Sequence, residues 1–284
     1  MAIVIITDSS TDLPLNNDDI RVIPLKITFG TEIYKDVVDI SHAQFYEKLS
    51  VSEELPKTSQ PAPYEYEEEF KKVKEAGDKA IVICVSKKLS GTYNSAMLAS
   101  KNYEDVVRVV DSGSVAIGQT ILVQYAKRLI DQGKDIDEIV KELEAKKNNI
   151  VMLALLDTLE YLKRGGRIPA AIAILANIIS LKPIMGVENG KLAVAGKARG
   201  MKKAIKLLGE IIENAGGIDF DMPYCLGYTG GGETTLKQYI EENKEQWAAN
   251  IKSLPIFTIG ASIGSHAGLG AIGVAFFSKA ATIK

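Results

Sequence analysis

The sequence predicts an α/β protein in two parts. Residues 1–149 read as a parallel-sheet α/β/α domain, and residues 150–284 as an α+β domain with a mixed or antiparallel sheet, with a ligand cleft between them. Three observations carry that expectation. Short apolar runs rich in β-branched residues alternate with helical patterns through the first half, as buried parallel strands and their crossover helices do. Past residue 150 the alternation gives way to two strand runs around Asn189-Gly190, the strongest short-range hairpin signal. A length of 284 residues suits one large or two ordinary domains with a substantial core.

Taken in order, residues 3–7 (IVIIT) form a β-branched run that ends in the polar cluster Asp8-Ser9-Ser10-Thr11-Asp12. A buried strand looks like this where it enters a loop. Residues 21–29 read as a second strand with partial alternation. Residues 80–85 and 106–110 are two more, each followed by a Ser/Gly-rich loop and a helix. Helices are expected over 42–50, 64–76, 92–102, 115–131 and 135–147. The 115–131 segment places Ile117, Ile121, Tyr125 and Leu129 on one core-facing stripe.

In the second half a strand over 150–156 precedes a helix near 158–163, the loop Lys163 to Arg167 (KRGGR) and an apolar helix over 170–178. The hairpin runs, 184–188 and 191–194, follow. Helices over 200–215 and 233–247 flank a strand at 224–228. The chain is expected to finish with two buried strands, 254–260 and 271–277, joined by a glycine loop. Repeats, low-complexity tracts and a flexible linker are absent from the sequence, so the two halves are expected to pack tightly.

Composition narrows the function classes. Hydrophobic residues make up 46% and charged residues 25%, an ordinary globular balance. With 34 basic and 36 acidic residues the net charge is −2, which gives no footprint for nucleic acid or an anionic membrane. The acidic run over 65–69, followed by Lys71, Lys72 and Lys74, reads as a solvated helix face. Cys84 and Cys225 each sit in an apolar run and read as buried thiols of a reducing compartment. Two histidines without a Cys-x-x-Cys pair predict no metal site. The opening MAIVIITDSS lacks the basic region and cleavage site of a signal peptide, so a cytoplasmic location is expected. Residues 253–278 carry no formal charge over a length that would span a bilayer. Their glycines, serines, proline and histidine argue for buried strands and a loop, and against stable membrane insertion.

Four loops concentrate hydroxyls: Asp8 to Asp12, Lys57 to Pro61 (KTSQP), Leu89 to Asn94 (LSGTYN) and Asp111 to Ser114 (DSGS). In an open parallel sheet, ligands bind outside the carboxyl ends of the strands, where helix N-termini favour an anion. One such loop is explained by helix capping alone; four on one sheet edge point to an anion site. Nucleotide-cradle motifs are missing, and Glu233 beside Gly230-Gly231-Gly232 would repel a phosphate, so that turn reads as structural. Hydroxyls together with His266, in its glycine-rich and uncharged setting, suit a single carboxylate. The apolar segments 168–181 and 253–278 read as the lining of a tunnel behind it. A competing class is a serine-hydrolase-type enzyme acting on acyl esters, with Ser90, His266 and Asp8 or Asp111 as nucleophile, base and orienter. Against it, the G-x-S-x-G elbow is absent. A binder of a sugar acid or phosphosugar is the third class.

Eight of these segments, in order along the whole chain, resemble the DegV family of bacterial fatty-acid-binding proteins. They are IVIITDSSTDLP, KTSQPAP, LSGTYNSA, DSGSVAIGQ, TLEYLKRGGRI, KPIMGVENGKL, GKARGMKKAI and IGSHAGLGAIGVAFF. The resemblance implies two α/β-type domains enclosing one long-chain fatty acid such as palmitate, with no cofactor beyond that ligand. It implies carboxylate binding by Thr58, Ser90 and His266, with Ser59, Gly91 and Thr92 as auxiliary contacts. Some members are the non-catalytic, acyl-presenting subunit of a fatty acid kinase, and in those the arginine matching Arg199 contacts the kinase or the acyl phosphate.

Overall fold

The computed structural model describes residues 2–13, 20–178 and 180–280. Pro14 of the N-terminal motif and Ile179 of the expected tunnel lining lie outside the described residues.

The chain opens with strand β1 (Ile3–Asp8), followed by β2 (Ile20–Ile23), β3 (Lys26–Phe29) and β4 (Glu32–Lys35). Helix α1 (His42–Val51) leads to β5 (Lys57–Ser59), α2 (Pro63–Glu75), β6 (Lys79–Cys84), α3 (Thr92–Ser100), β7 (Val107–Asp111), α4 (Ile117–Asp131) and α5 (Ile136–Lys146). Two sheets result. The parallel one has the order β2-β1-β6-β7, and a small antiparallel one has the order β4-β3-β5. The single strand expected over 21–29 is therefore two strands in different sheets. Pro24 explains the break, because it has no N–H for a ladder and fixes φ.

The second half contains β8 (Ile150–Leu155), α6 (Glu160–Arg164), α7 (Ala170–Ala173), β9 (Leu181–Glu188) and β10 (Lys191–Arg199). It continues with α8 (Met201–Asn214), β11 (Tyr224–Tyr228), α9 (Glu233–Glu242), α10 (Lys244–Trp247), β12 (Ile256–Thr258), α11 (Ala261–Ala267) and β13 (Ile272–Phe277). Its six strands form one mixed sheet, β10-β9-β8-β13-β11-β12, in which only the β11–β12 pair is parallel. The β9–β10 hairpin turns at Asn189 (φ 49°) and Gly190 (φ 76°), the two positive φ values a tight hairpin of this type needs. A parallel-sheet α/β part thus precedes a mixed-sheet part.

Four expectations change here. The predicted 254–260 strand is a three-residue edge strand, with Ile256 46% exposed rather than buried. The expected glycine loop after it contains helix α11, and His266 sits on that helix. Glycine disfavours helix, but at Gly264 its missing side chain lets α11 lie against Phe45 and Tyr46, whose atoms a Cβ would meet at 2.7 and 2.6 Å. The segment 170–178 gives only the four-residue α7 and a 3-10 turn at Ile174–Asn177, and the helix over 233–247 breaks at Asn243 into α9 and α10.

Helix α4 joins the halves. Its predicted stripe, Ile117, Ile121, Tyr125 and Leu129, is buried, and so are Gln119, Thr120, Leu122 and Val123 around the rest of its circumference. One hydrophobic cluster runs from Ile5, Ile81 and Ile83 of the parallel sheet through α4 to Cys225, Ala275 and Phe277 of the mixed sheet. Cys84 and Cys225 are free and buried. Among the described residues no helix is long and apolar enough to cross a membrane.

Candidate functional site

A cavity lies between the carboxyl ends of β1 and β6 and one face of the mixed sheet. Strand alternation supplies its floor. Met152, Ala154 and Leu156 fall two residues apart and all line it, with Met185 paired to Ala154 across β8–β9. Leu153 and Leu155, the alternate residues, belong to the core beneath α8. Leu25, Val85, Leu89, Val115 and Ile263 line it as well.

Among the described residues, the lining includes no carboxylate and one cation, Arg167. Thr58, Ser90 and His266 line the cavity with it. Thr58 was expected in a loop, but it lies on β5, where it pairs with Ile27 of β3. A three-residue strand with exposed ends carries no readable periodicity. The Thr58 hydroxyl stands 2.8 Å from His266 Nε2. Ser90 Oγ lies 2.8 Å from Thr92 Oγ1 and accepts from the Thr92 N–H at 3.3 Å, just ahead of α3. Ser59, Gly91 and Thr92 are not among the lining residues. Ser59 is exposed, while Gly91 lies against the Gln60 amide, which a Cβ there would meet at 2.1 Å. Arg199 ends β10 opposite Leu181, exposed and apart from the cavity lining.

In the sequence Arg167 is only the end of the KRGGR loop, with no role in the site. Its Nη1 donates to the Gly165 carbonyl at 2.6 Å and its Nε to the Leu89 carbonyl at 3.4 Å, which ties the KRGGR turn to the loop carrying Ser90. Gly165 forms the seat of the imidazole, since a Cβ there would come within 2.4 Å of His266 Nδ1. That Nδ1 is buried without a hydrogen-bond partner among the described residues. Burial, and then the Arg167 guanidinium, push the His266 pKa down to about 4, so the imidazole is neutral at pH 7. The glycine pair in KRGGR was the sequence signal for this seat. Its pairing with a histidine far along the chain was not legible.

Two further serines, Ser10 and Ser262, reach the lining with their hydroxyls already engaged. Ser10 donates to Asp8 and to Gln119 Oε1, while Ser262 donates to Asp36. Burial raises the Asp8 pKa against the lowering effect of bonds from Ser10, Val85 and Gln119. The Ser–His–Asp arrangement is not assembled among the described residues. His266 Nε2 faces Thr58, its Nδ1 has no acid, and Ser90 is paired with Thr92. Nor do the described residues include a group of three or more His, Cys, Asp or Glu suited to a metal ion.

Comparison with known proteins gives a consistent family. A family model described as "Uncharacterised protein, DegV family" matches residues 2–279. A DegV domain-containing protein of Caldanaerobacter subterraneus subsp. tengcongensis is 34% identical over 283 residues, covering 98% of this chain and 99% of that protein. Among solved structures, a fatty-acid-binding DegV family protein of Thermus thermophilus is 30% identical with a TM-score of 0.84, covering 98% of this chain and 100% of that one. A fatty-acid-binding DegV family protein of Streptococcus agalactiae is 26% identical with a TM-score of 0.86, covering 99% and 100%.

Proposed function

This chain belongs to the DegV family, and from that premise we propose that it binds one long-chain fatty acid, with the acyl chain in the apolar cavity and the carboxylate at Thr58 and Ser90. The observation that carries this reading is the lining itself. It is apolar over most of its surface, free of carboxylates among the described residues, and carries the Arg167 guanidinium, the His266 imidazole and the hydroxyls of Thr58 and Ser90.

Each group has a role in this reading. Two neutral forms of His266 are possible, and only one leaves its buried Nδ1 without a proton to satisfy. In that form Nε2–H donates to Thr58 Oγ1, and the Thr58 hydroxyl is free to donate to a carboxylate oxygen. Thr92 plays the matching part for Ser90, donating its N–H, and in the same sense its hydroxyl, to Ser90 Oγ. Arg167 supplies the compensating charge that a partly buried carboxylate requires. Ser59 and Gly91 shape the rim of this pair of loops. The two parts meet at residues 149/150 as two domains, the first bearing the hydroxyl loops and the second the acyl pocket and His266.

Magnitudes support a lipid over a small polar acid. Burying about fifteen methylene-type carbons of a C16 chain is worth roughly 12 kcal/mol at about 0.8 kcal/mol per CH₂, before association costs. A charge-assisted hydrogen bond at the head adds about 1.5–3 kcal/mol. The protein acts as a carrier that presents the carboxylate to a partner, a fatty acid kinase catalytic subunit, with exposed Arg199 on the docking surface. Native mass spectrometry of the purified protein, followed by lipid extraction, tests the reading: a stoichiometric fatty acid is expected. An empty protein that ignores palmitate and oleate yet hydrolyses acyl esters, with loss on Ser90→Ala, would sink it.

A further inference from the structure

Thr58 and His266 come from different elements, and a buried carboxylate ties those elements together. Asp36 follows β4 directly and is 0% exposed. Its Oδ2 accepts the Ser262 backbone N–H at 2.9 Å, the Ser9 hydroxyl at 3.1 Å and the Ser262 hydroxyl as well. Its own N–H donates to the Leu25 carbonyl at 2.9 Å, just ahead of β3. Ser9 Oγ in turn accepts the Leu25 N–H at 2.9 Å and lies 3.2 Å from Ser262 Oγ. A second buried carboxylate, Asp12, accepts the Gly260 N–H at 2.7 Å, and the Tyr46 hydroxyl donates to the Ile259 carbonyl at 2.8 Å.

These bonds converge on residues 259–262, the start of α11, and His266 lies one helical turn beyond them at about 1.5 Å of rise per residue. On the other side, β3 pairs with β5 and holds Thr58 opposite Ile27. Asp36 therefore fastens the small sheet that bears Thr58 to the helix that bears His266. Three donors converge on Asp36 Oδ2, while its Oδ1 is buried without a partner among the described residues, so the carboxylate is held through one oxygen by charge-assisted bonds.

We infer that Asp36 is a positioning residue for the head-group site: through Ser262 it fixes α11 against the β4-β3-β5 sheet and so sets the contact between Thr58 and His266. A slip of α11 of about 1 Å would break a contact of hydrogen-bond length while leaving the apolar cavity in place. The inference rests on the proposed function only for its effect on ligand. Its geometric part concerns the ligand-free protein.

The chain has two histidines, so nitrogen-15 imidazole spectra are simple to assign; His42 lies against Gly260 and feels the Asp36 charge, so the readout is taken from His266 alone. In ligand-free Asp36→Ala, the exchange-protected Nε2 proton of His266 is expected to disappear, whereas Asp36→Asn, which keeps an acceptor oxygen, retains it. Palmitate affinity should fall at least about ten-fold in Asp36→Ala while hexadecanol affinity stays within about two-fold. Adding Thr58→Ala to Asp36→Ala should cost little more, because both remove the same contact. If Asp36→Ala does not fold, Ser9→Ala, which removes a hydroxyl donor to Asp36 from a residue outside the cavity lining, carries the same readouts. A folded variant with an unchanged His266 resonance overturns the inference, and so does an equal loss for palmitate and hexadecanol. Wild-type protein that binds neither lipid would refute the proposed function and leave the His266 resonance to decide the role of Asp36.

Discussion

The Thr58 hydroxyl and His266 Nε2 meet at 2.8 Å across 208 residues of sequence. One sits on a strand of the small antiparallel sheet and the other on a short helix between strands of the mixed sheet, so the contact exists only in the assembled fold. It also defines the site most open to test.

Removing either hydroxyl should weaken the head group without collapsing the cavity. Thr58→Ala and Ser90→Ala are each expected to lose about 1.5–3 kcal/mol of palmitate binding, roughly 10- to 150-fold in Kd. Isothermal titration calorimetry on delipidated protein measures this, and unchanged affinity in both variants would misplace the site.

Arg167 should act on the acid and on the imidazole at once. Arg167→Gln is expected to reduce palmitate affinity more than hexadecanol affinity. It should also raise the His266 pKa from about 4, because the guanidinium is one of the two causes that hold it down. An NMR titration of the imidazole that shows no upward movement would refute the electrostatic role.

Filling the cavity should shorten the preferred chain. Ala154 lies on the lining face of β8 between Met152 and Leu156. Ala154→Phe should exclude about three methylenes, costing a C16 acid about 2.4 kcal/mol while sparing shorter chains. Competition among C10, C12 and C16 acids, read by mass spectrometry, would show whether the order of preference shifts.

Asp12 should give the protein a pH dependence of defined sign. Burial, and then the charge of Asp36, raise its pKa from 3.8 to about 8 against the opposing Gly260 bond. A carboxyl with a folded pKa above its unfolded one contributes stability in full below about pH 4, and loses it as pH rises towards 8. Relative to wild type, Asp12→Asn should therefore gain in Tm between pH 5 and pH 8. A Tm difference that stays flat across that window would show that Asp12 titrates as an ordinary carboxylate.

The exposed cation Arg199 should matter only to a partner. Arg199→Ala is expected to leave palmitate affinity unchanged while abolishing acyl-phosphate formation with a cognate fatty acid kinase. Full activity of the variant in that assay would remove Arg199 from the docking surface.

Much of this architecture was legible in the chain because its signals are local. The buried strands β1, β6, β8 and β13 are apolar runs, the α4 stripe repeats at helical spacing, and Asn-Gly marks a hairpin. The small sheet was hidden for the opposite reason: β4 is mostly exposed and β5 has three residues, so neither shows a period. Helix α11 was hidden because it is seven residues long, lies between Gly260 and Gly268 and holds Gly264, which opposes helix formation but lets the helix pack against Phe45 and Tyr46. Thr58 and Ser90 lie in hydroxyl-rich stretches and His266 in an uncharged, glycine-rich one, and the resemblance to the DegV family singles out the three. Arg167 and Asp36 did not, because what distinguishes them is a neighbour brought close by the fold.

Helix α4 carries a last consequence. It is buried on nearly all sides between a parallel and a mixed sheet, so it belongs equally to both halves of the chain. Severing the gene near residue 149 would leave one fragment with a naked apolar helix and the other with an uncovered sheet face. The two pieces should be recovered intact only when produced together, as a split protein that reassembles around α4.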